Sequence, residues 1–155
     1  AAVLKEMAAK SPPLVVALRS GRPVLVDFSA TWCADCLEMA PSMRELEEEY
    51  GRDVAFVTLD MSFSAPVGIS PRPPQKGDEE AEWWAKQFGV DGIPHLAFVG
   101  ADGRVRTALV GALPPNIVRA DVEALRDGAQ DLPYIMYDAF AGGRELQLPP
   151  SSIVQ

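Results

Sequence analysis

The stretch Val24-Leu25-Val26-Asp27-Phe28-Ser29-Ala30-Thr31-Trp32-Cys33-Ala34-Asp35-Cys36 decides how this chain is read. It opens on an apolar run, Val24 to Phe28, broken only by Asp27, the pattern of a strand buried on both faces. Beyond it Met39, Met43, Leu46 and Tyr50 recur at helical spacing, which predicts a helix over 37–50 stopped by Gly51. The chain's two cysteines thus sit where a strand hands over to a helix. A thiol at a helix N-terminus feels the positive end of the macrodipole, which favours the nucleophilic thiolate. A second thiol one turn later can close a disulfide with it.

The C-x-x-C spacing alone leaves three readings open. A zinc site takes four ligands, and the chain supplies two thiols and a single histidine, His95, far off in sequence. A purely structural disulfide across so short a loop constrains the unfolded chain little. Redox exchange is favoured, because the motif lies between a strand and a helix in an α/β pattern.

Outward from the motif, 12–20 carries Leu14, Val15 and Leu18 before Gly21 and predicts a short helix. Pro41 falls inside the helix after the cysteines and should kink it. Val54, Phe56, Val57 and Leu59 mark a strand within 53–60, and 79–88, with Trp83 and Trp84, resumes helix. Asp102-Gly103 between 96–99 and 105–110 signals a hairpin. Ile117, Val118, Val122 and Leu125 place a last helix over 114–127. The predicted fold class is α/β: a mixed central sheet with helices on both faces.

Residues 62–78, with Pro66, Pro71, Pro73 and Pro74, form a proline-rich insertion read as a mobile surface loop in preference to a partner contact. The domain therefore runs over 1–128. Residues 129–155 make a C-terminal extension with Tyr134, Tyr137 and Phe140, its first part docked and its end frayed.

A 155-residue chain with 48% hydrophobic and 23% charged residues builds an ordinary core. A net charge of −8 argues against nucleic acid as a partner, since phosphates need clustered cations. No stretch nears the ~20 apolar residues that span a bilayer, and no signal-peptide pattern opens the chain. Membrane contact is thus expected only through an anchor outside this stretch.

The chain resembles the thioredoxin superfamily. Asp27-Phe28, Trp32-Cys33-Ala34-Asp35-Cys36 and Pro41 match its active-site segment, Gly92-Ile93-Pro94 looks like its cis-proline loop, and Gly111 fits after the last strand. Glu38-Met39-Ala40-Pro41, Phe88 to His95, Val110 to Pro114 and Leu132-Pro133-Tyr134 look like one branch of it. That branch holds the membrane-anchored, lumen-facing thioredoxin-like proteins of chloroplast thylakoids and their cyanobacterial relatives. The resemblance implies the thioredoxin fold and reduction of protein disulfides, with no cofactor beyond the cysteine pair. It also implies a place on the lumenal side of the thylakoid (or a cyanobacterial thylakoid or periplasmic side), in support of cytochrome b6f assembly. Clients would be cytochrome b6f components or apocytochromes, with a CcdA-type transmembrane thiol carrier as electron donor.

On the same basis Cys33 is the expected nucleophile, Cys36 the resolving thiol, and Asp27 a buried carboxylate that moves the proton of Cys36. Pro94 is expected cis, leaving the backbone of Ile93 to pair with a substrate strand. Trp32 and His95 complete the expected substrate surface; His95 is a candidate for tuning near neutral pH, with a side chain pointing away along the strand the favoured reading. Two departures stand out: Phe56 is read where many thioredoxins carry a lysine beside the aspartate, and Ala34-Asp35 replaces Gly-Pro. A net oxidase or isomerase, and a non-catalytic module that binds assembly factors, remain the alternative readings.

Overall fold

The computed structural model describes residues 1–136 and 144–154. Its elements run α1 (Ala2–Lys10), α2 (Leu14–Leu18), β1 (Val24–Ser29), α3 (Ala34–Tyr50), β2 (Ala55–Asp60), α4 (Asp78–Gln87), β3 (His95–Val99), β4 (Arg104–Val110), α5 (Pro115–Arg126) and β5 (Arg144–Glu145). The sheet order is β2-β1-β3-β4-β5. β1 and β2 are parallel, as a crossover through α3 demands, and the remaining pairs are antiparallel.

Every residue of β1 and β3 is buried, because helices cover the sheet on both sides. Side-chain alternation then sorts the strands into two cores. Leu25, Phe56, Leu96, Phe98 and Leu109 face α1, α3 and α5 through Leu4, Met7, Met43, Leu46, Val118, Val122 and Leu125. Val24, Val26, Phe28, Val57, Ala97, Val99 and Ala108 face α2 and α4 through Leu14, Ala17, Trp84, Ala85 and Phe88. Of the adjacent tryptophans, Trp84 is fully buried and Trp83 half-buried, its ring edge-on to Trp84 at 5.0 Å.

Several boundaries differ from expectation for local reasons. α1 was not predicted: it offers only Leu4 and Met7 to the core, too sparse a stripe to register as a period. Pro12 and Pro13 hold the expected 12–20 helix to Leu14–Leu18. α3 begins at Ala34, three residues earlier than the apolar stripe suggests, so Cys36 belongs to its first turn and Pro41 lies well inside it.

The 62–78 insertion is largely exposed, a surface loop as expected, and Arg72 ties it to the domain. Arg72 forms a fork on Asp78, with Nη2 to Oδ1 at 2.7 Å and Nη1 to Oδ2 at 3.1 Å, and its Nε donates to Asp60 Oδ2 at 3.2 Å. All three side chains are mostly buried, so these charge-assisted bonds are little screened by solvent.

The extension packs back on the domain. Leu132 is buried against the α3–α5 core, and the Tyr134 amide donates to Asp121 Oδ1 at 2.9 Å. Asp121 is itself fully buried, and desolvation raises its carboxyl pKa to about 6, the amide bond opposing. β5 then adds to the edge of β4. Tyr137 and Phe140 lie outside the described residues.

If 129–136 is an integral part of the domain, Leu132→Ala should cost about 2–4 kcal/mol through lost burial and a residual cavity. Urea denaturation of the variant beside the parent checks this; a loss under 0.5 kcal/mol, the range of surface substitutions, would mean that the segment merely lies on the surface.

Candidate active site

Three chain segments converge at one end of the sheet. β1 leaves at Ser29 toward the cysteines, β2 leaves at Asp60 in parallel register with Ser29, and β3 enters at His95, opposite Phe28. The Cys33 amide donates to the Ala30 carbonyl at 3.1 Å, a turn that brings Cys33 to the N-cap of α3. Cys33 and Cys36 are joined as a disulfide with Cα atoms 5.2 Å apart, inside the span that such a bond requires. The Cys36 amide donates to Cys33 Sγ at 3.2 Å. In the reduced protein that N–H and the helix dipole would meet a thiolate on Cys33. Cys33 keeps 7% exposure and Cys36 2%, so an incoming disulfide reaches Cys33 first.

The Ile93–Pro94 peptide bond is cis, and the Ile93 carbonyl oxygen lies 3.8 Å from Cys33 Sγ. Pro94 is tied down from behind, its carbonyl accepting from Gly111 N at 2.9 Å. The backbone of Ile93 therefore borders the sulfur that a substrate would meet. Asp35, between the cysteines, points to solvent, where screening weakens its repulsion of a Cys33 thiolate.

Asp27 lies on the sheet face that carries the cysteines, between Leu25 and Ser29 along β1. It is buried, and desolvation raises its pKa to about 6 while a 2.6 Å hydrogen bond from Ser29 Oγ pulls the other way. The parallel register pairs Asp27 with Thr58, and Phe56, two residues earlier on the same face of β2, pairs with Leu25. Both are uncharged, so desolvation governs the carboxyl.

His95, assigned to the substrate surface, is a correction. It follows Pro94 directly, yet strand alternation turns its ring to the opposite face from the cysteines. There it meets Phe28 edge-on at 5.6 Å and is 2% exposed. Burial lowers its pKa to about 4, with Asp91 pulling it up, so the ring stays neutral near pH 7. It supplies neither a substrate contact nor a tuning charge.

Trp32 is half-buried beside Cys33, and its indole Nε1 donates to the Ser64 carbonyl at 2.6 Å. Thr31 bonds Ser62 through both its amide, at 2.8 Å, and its hydroxyl. Ser62 is fixed in turn by Asp60, which accepts from its amide and its hydroxyl. None of Ser29, Ser62 or Ser64 is singled out by the sequence. Small hydroxyl residues near strand ends are common, and only the fold shows which ones face a partner.

A model of the thioredoxin-like domain family matches residues 13–126. The thioredoxin-like protein HCF164, chloroplastic, of Arabidopsis thaliana is 35% identical over 131 residues, 84% of this chain and 44% of that protein. The thiol:disulfide interchange protein TxlA homolog of Synechocystis sp. is 31% identical over 124 residues, 79% of this chain and 59% of that protein. The chain thus spans about half the length of these relatives. Among solved structures, oxidized mitochondrial thioredoxin 3 of Saccharomyces cerevisiae matches with a TM-score of 0.51 and 25% identity, over 71% of this chain and 82% of that one.

Between about pH 4 and pH 6 folded Asp27 holds a proton that the unfolded chain has released, so this group's stabilising contribution falls as pH rises through that window. The full swing is about 3 kcal/mol for a shift from 3.8 to about 6. Asp27→Asn carries no charge at any pH and keeps an oxygen for Ser29. The oxidised variant should therefore exceed the parent in stability at pH 7 by up to about 3 kcal/mol, with the gap closing near pH 4. Paired urea titrations across pH 4–7 measure the difference, and a gap independent of pH would remove Asp27 as the titrating group.

Proposed function

The chain belongs to the thioredoxin-like domain family and its domain is a thiol–disulfide oxidoreductase, from which we propose that it works as a protein-disulfide reductase. The observation that carries this reading is the bond between the N-cap Cys33, the more exposed of the pair, and Cys36 in the first turn of α3. In the reduced form the Cys33 thiolate attacks one sulfur of a client disulfide. The client S–S bond breaks, a client thiolate leaves, and a mixed disulfide joins Cys33 to the client. Cys36 then gives its proton to the Asp27 carboxylate and attacks Cys33 Sγ. The second client thiolate departs and the Cys33–Cys36 disulfide remains, the two electrons having passed to the client. A carboxyl whose pKa lies near 6 is mostly ionised at neutrality and close enough in basicity to take that proton.

Trp32 and the Ile93 backbone flank Cys33 and would bind the client, Ile93 through strand-like pairing next to cis-Pro94. Relatives named as chloroplastic and as cyanobacterial interchange proteins support a setting in thylakoids. We place the domain on the lumenal side, drawing electrons from a CcdA-type thiol carrier and reducing cytochrome b6f components or apocytochromes during assembly. Among the described residues no helix is long and apolar enough to cross a membrane.

Two measurements test the proposal. Cys36→Ser should accumulate mixed disulfides with insulin or membrane-derived clients while Cys33→Ser does not, and either change should abolish turnover; equal trapping by both would reverse the assignment of nucleophile. A redox titration should place the couple nearer to about −270 mV than to about −120 mV, because Asp35 in the first turn of α3 opposes the stabilisation that the Cys36 N–H and the helix dipole give a Cys33 thiolate. A value at the oxidising end would make this an oxidase.

A further inference from the structure

The 62–78 insertion is built onto the active site. Its base is the Arg72 fork on Asp60 and Asp78, to which the Arg72 amide adds a bond to the Ser62 carbonyl at 3.1 Å. From that base Ser62 reaches Thr31, and Ser64 takes the indole of Trp32, the residue adjacent to Cys33. A continuous set of bonds therefore runs from the start of α4 to the side chain beside the nucleophile.

Beyond Ser64 the chain makes a turn in which Ile69 N donates to the Pro66 carbonyl at 3.1 Å. Gly68 sits at φ +89°, a value that the third position of a type II turn requires and that other residues resist. The turn carries Val67 fully exposed and Ile69 exposed at its tip. Val67 is three residues from Ser64, within about 11 Å of it by chain length. No acidic residue occurs between Met61 and Gly77 in a chain of net charge −8, and the Arg72 charge is met by its two carboxylates. An uncharged, apolar tip so few residues from Ser64, whose carbonyl holds the indole beside Cys33, has no role in packing.

We propose that this insertion is a client-recognition arm: Arg72 clamps it against Trp32, and Val67 and Ile69 meet apolar side chains that flank the target disulfide in an extended client polypeptide. An extended strand advances about 3.3 Å per residue, so the arm reads positions within roughly five residues of the client cysteine. Arg72 is a positioning residue, acting through Ser62 and Ser64 on Trp32. The inference rests on the reductase reading above and adds to it a preference for substrate sequence.

The test uses two disulfide-linked peptide dimers that differ only in carrying leucines or serines within five residues of the cysteine. The unsubstituted protein should reduce the leucine peptide with a kcat/KM about tenfold higher, the difference lying in KM, as expected for partial burial of two aliphatic side chains. Val67→Ser with Ile69→Ser, on an exposed turn that the core does not need, should bring the two peptides within twofold of each other. Arg72→Gln should do the same with Val67 and Ile69 intact; a preference kept by Arg72→Gln would overturn the clamp. Equal reduction of both peptides by the unsubstituted protein, or a preference surviving in the double variant, would overturn the arm. If neither peptide is reduced at all, the reductase reading itself falls, and the arm with it.

Discussion

The antiparallel pairing of β1 with β3 is the constraint on which the site depends. Because Phe28 sits opposite His95, the residues that follow β1 and those that precede β3 emerge at the same end of the sheet. The parallel partner adds a third segment there, Ser29 lying opposite Asp60. A slip of one residue would turn every side chain of β1 to the other face. Asp27 would then enter the aromatic core of Phe88 and Trp84, and Phe28 would point at the cysteines. Burial on both faces forbids this, so the large apolar side chains that hold the sheet together also aim the carboxylate.

The same alternation explains what was legible in the sequence. The β1 run, the C-x-x-C step and the helical stripe to Tyr50 are each set by neighbours a few residues away, and each was placed within a turn of its position. The cis bond before Pro94 was legible through family likeness alone. The assignment of His95 to the substrate surface failed because it needed tertiary register: which face a strand residue takes. His95 shows the trap most clearly, since adjacency to the substrate loop in sequence becomes, on a strand, projection to the opposite side. The insertion was legible as a surface loop from its prolines, which carry no information about whether an arginine within it finds two carboxylates.

Charge placement divides the buried groups by task. Asp60 and Asp78 are partly buried but share an arginine, so their burial holds a loop in place. Asp27 is buried beside Thr58 and accepts from the Ser29 hydroxyl without a cation to pair with, an arrangement that weakens the fold near neutrality and raises the proton affinity of the carboxyl. Asp121 is also raised, yet it holds the backbone of the extension and lies on α5. A perturbed carboxyl by itself does not mark a site. What distinguishes Asp27 is that its face of the sheet is the one that carries the cysteines.

Chemistry and reach are thus assigned to separate parts of the chain. The N-cap of α3 and the carboxylate on β1 belong to the sheet and a helix packed on it, and in the proposed reduction they set which sulfur ionises and where a proton goes. The surface that meets a client includes a segment lying between β2 and α4, where added length does not disturb the strand register. Such a segment is free to vary in sequence without moving a sulfur, provided that its base is fixed. The Arg72 fork supplies that fixation from residues at the two ends of the segment, Asp60 closing β2 and Asp78 opening α4. A loop anchored at both feet loses little further entropy on meeting a partner, so contact at its tip is converted into affinity and not spent on ordering.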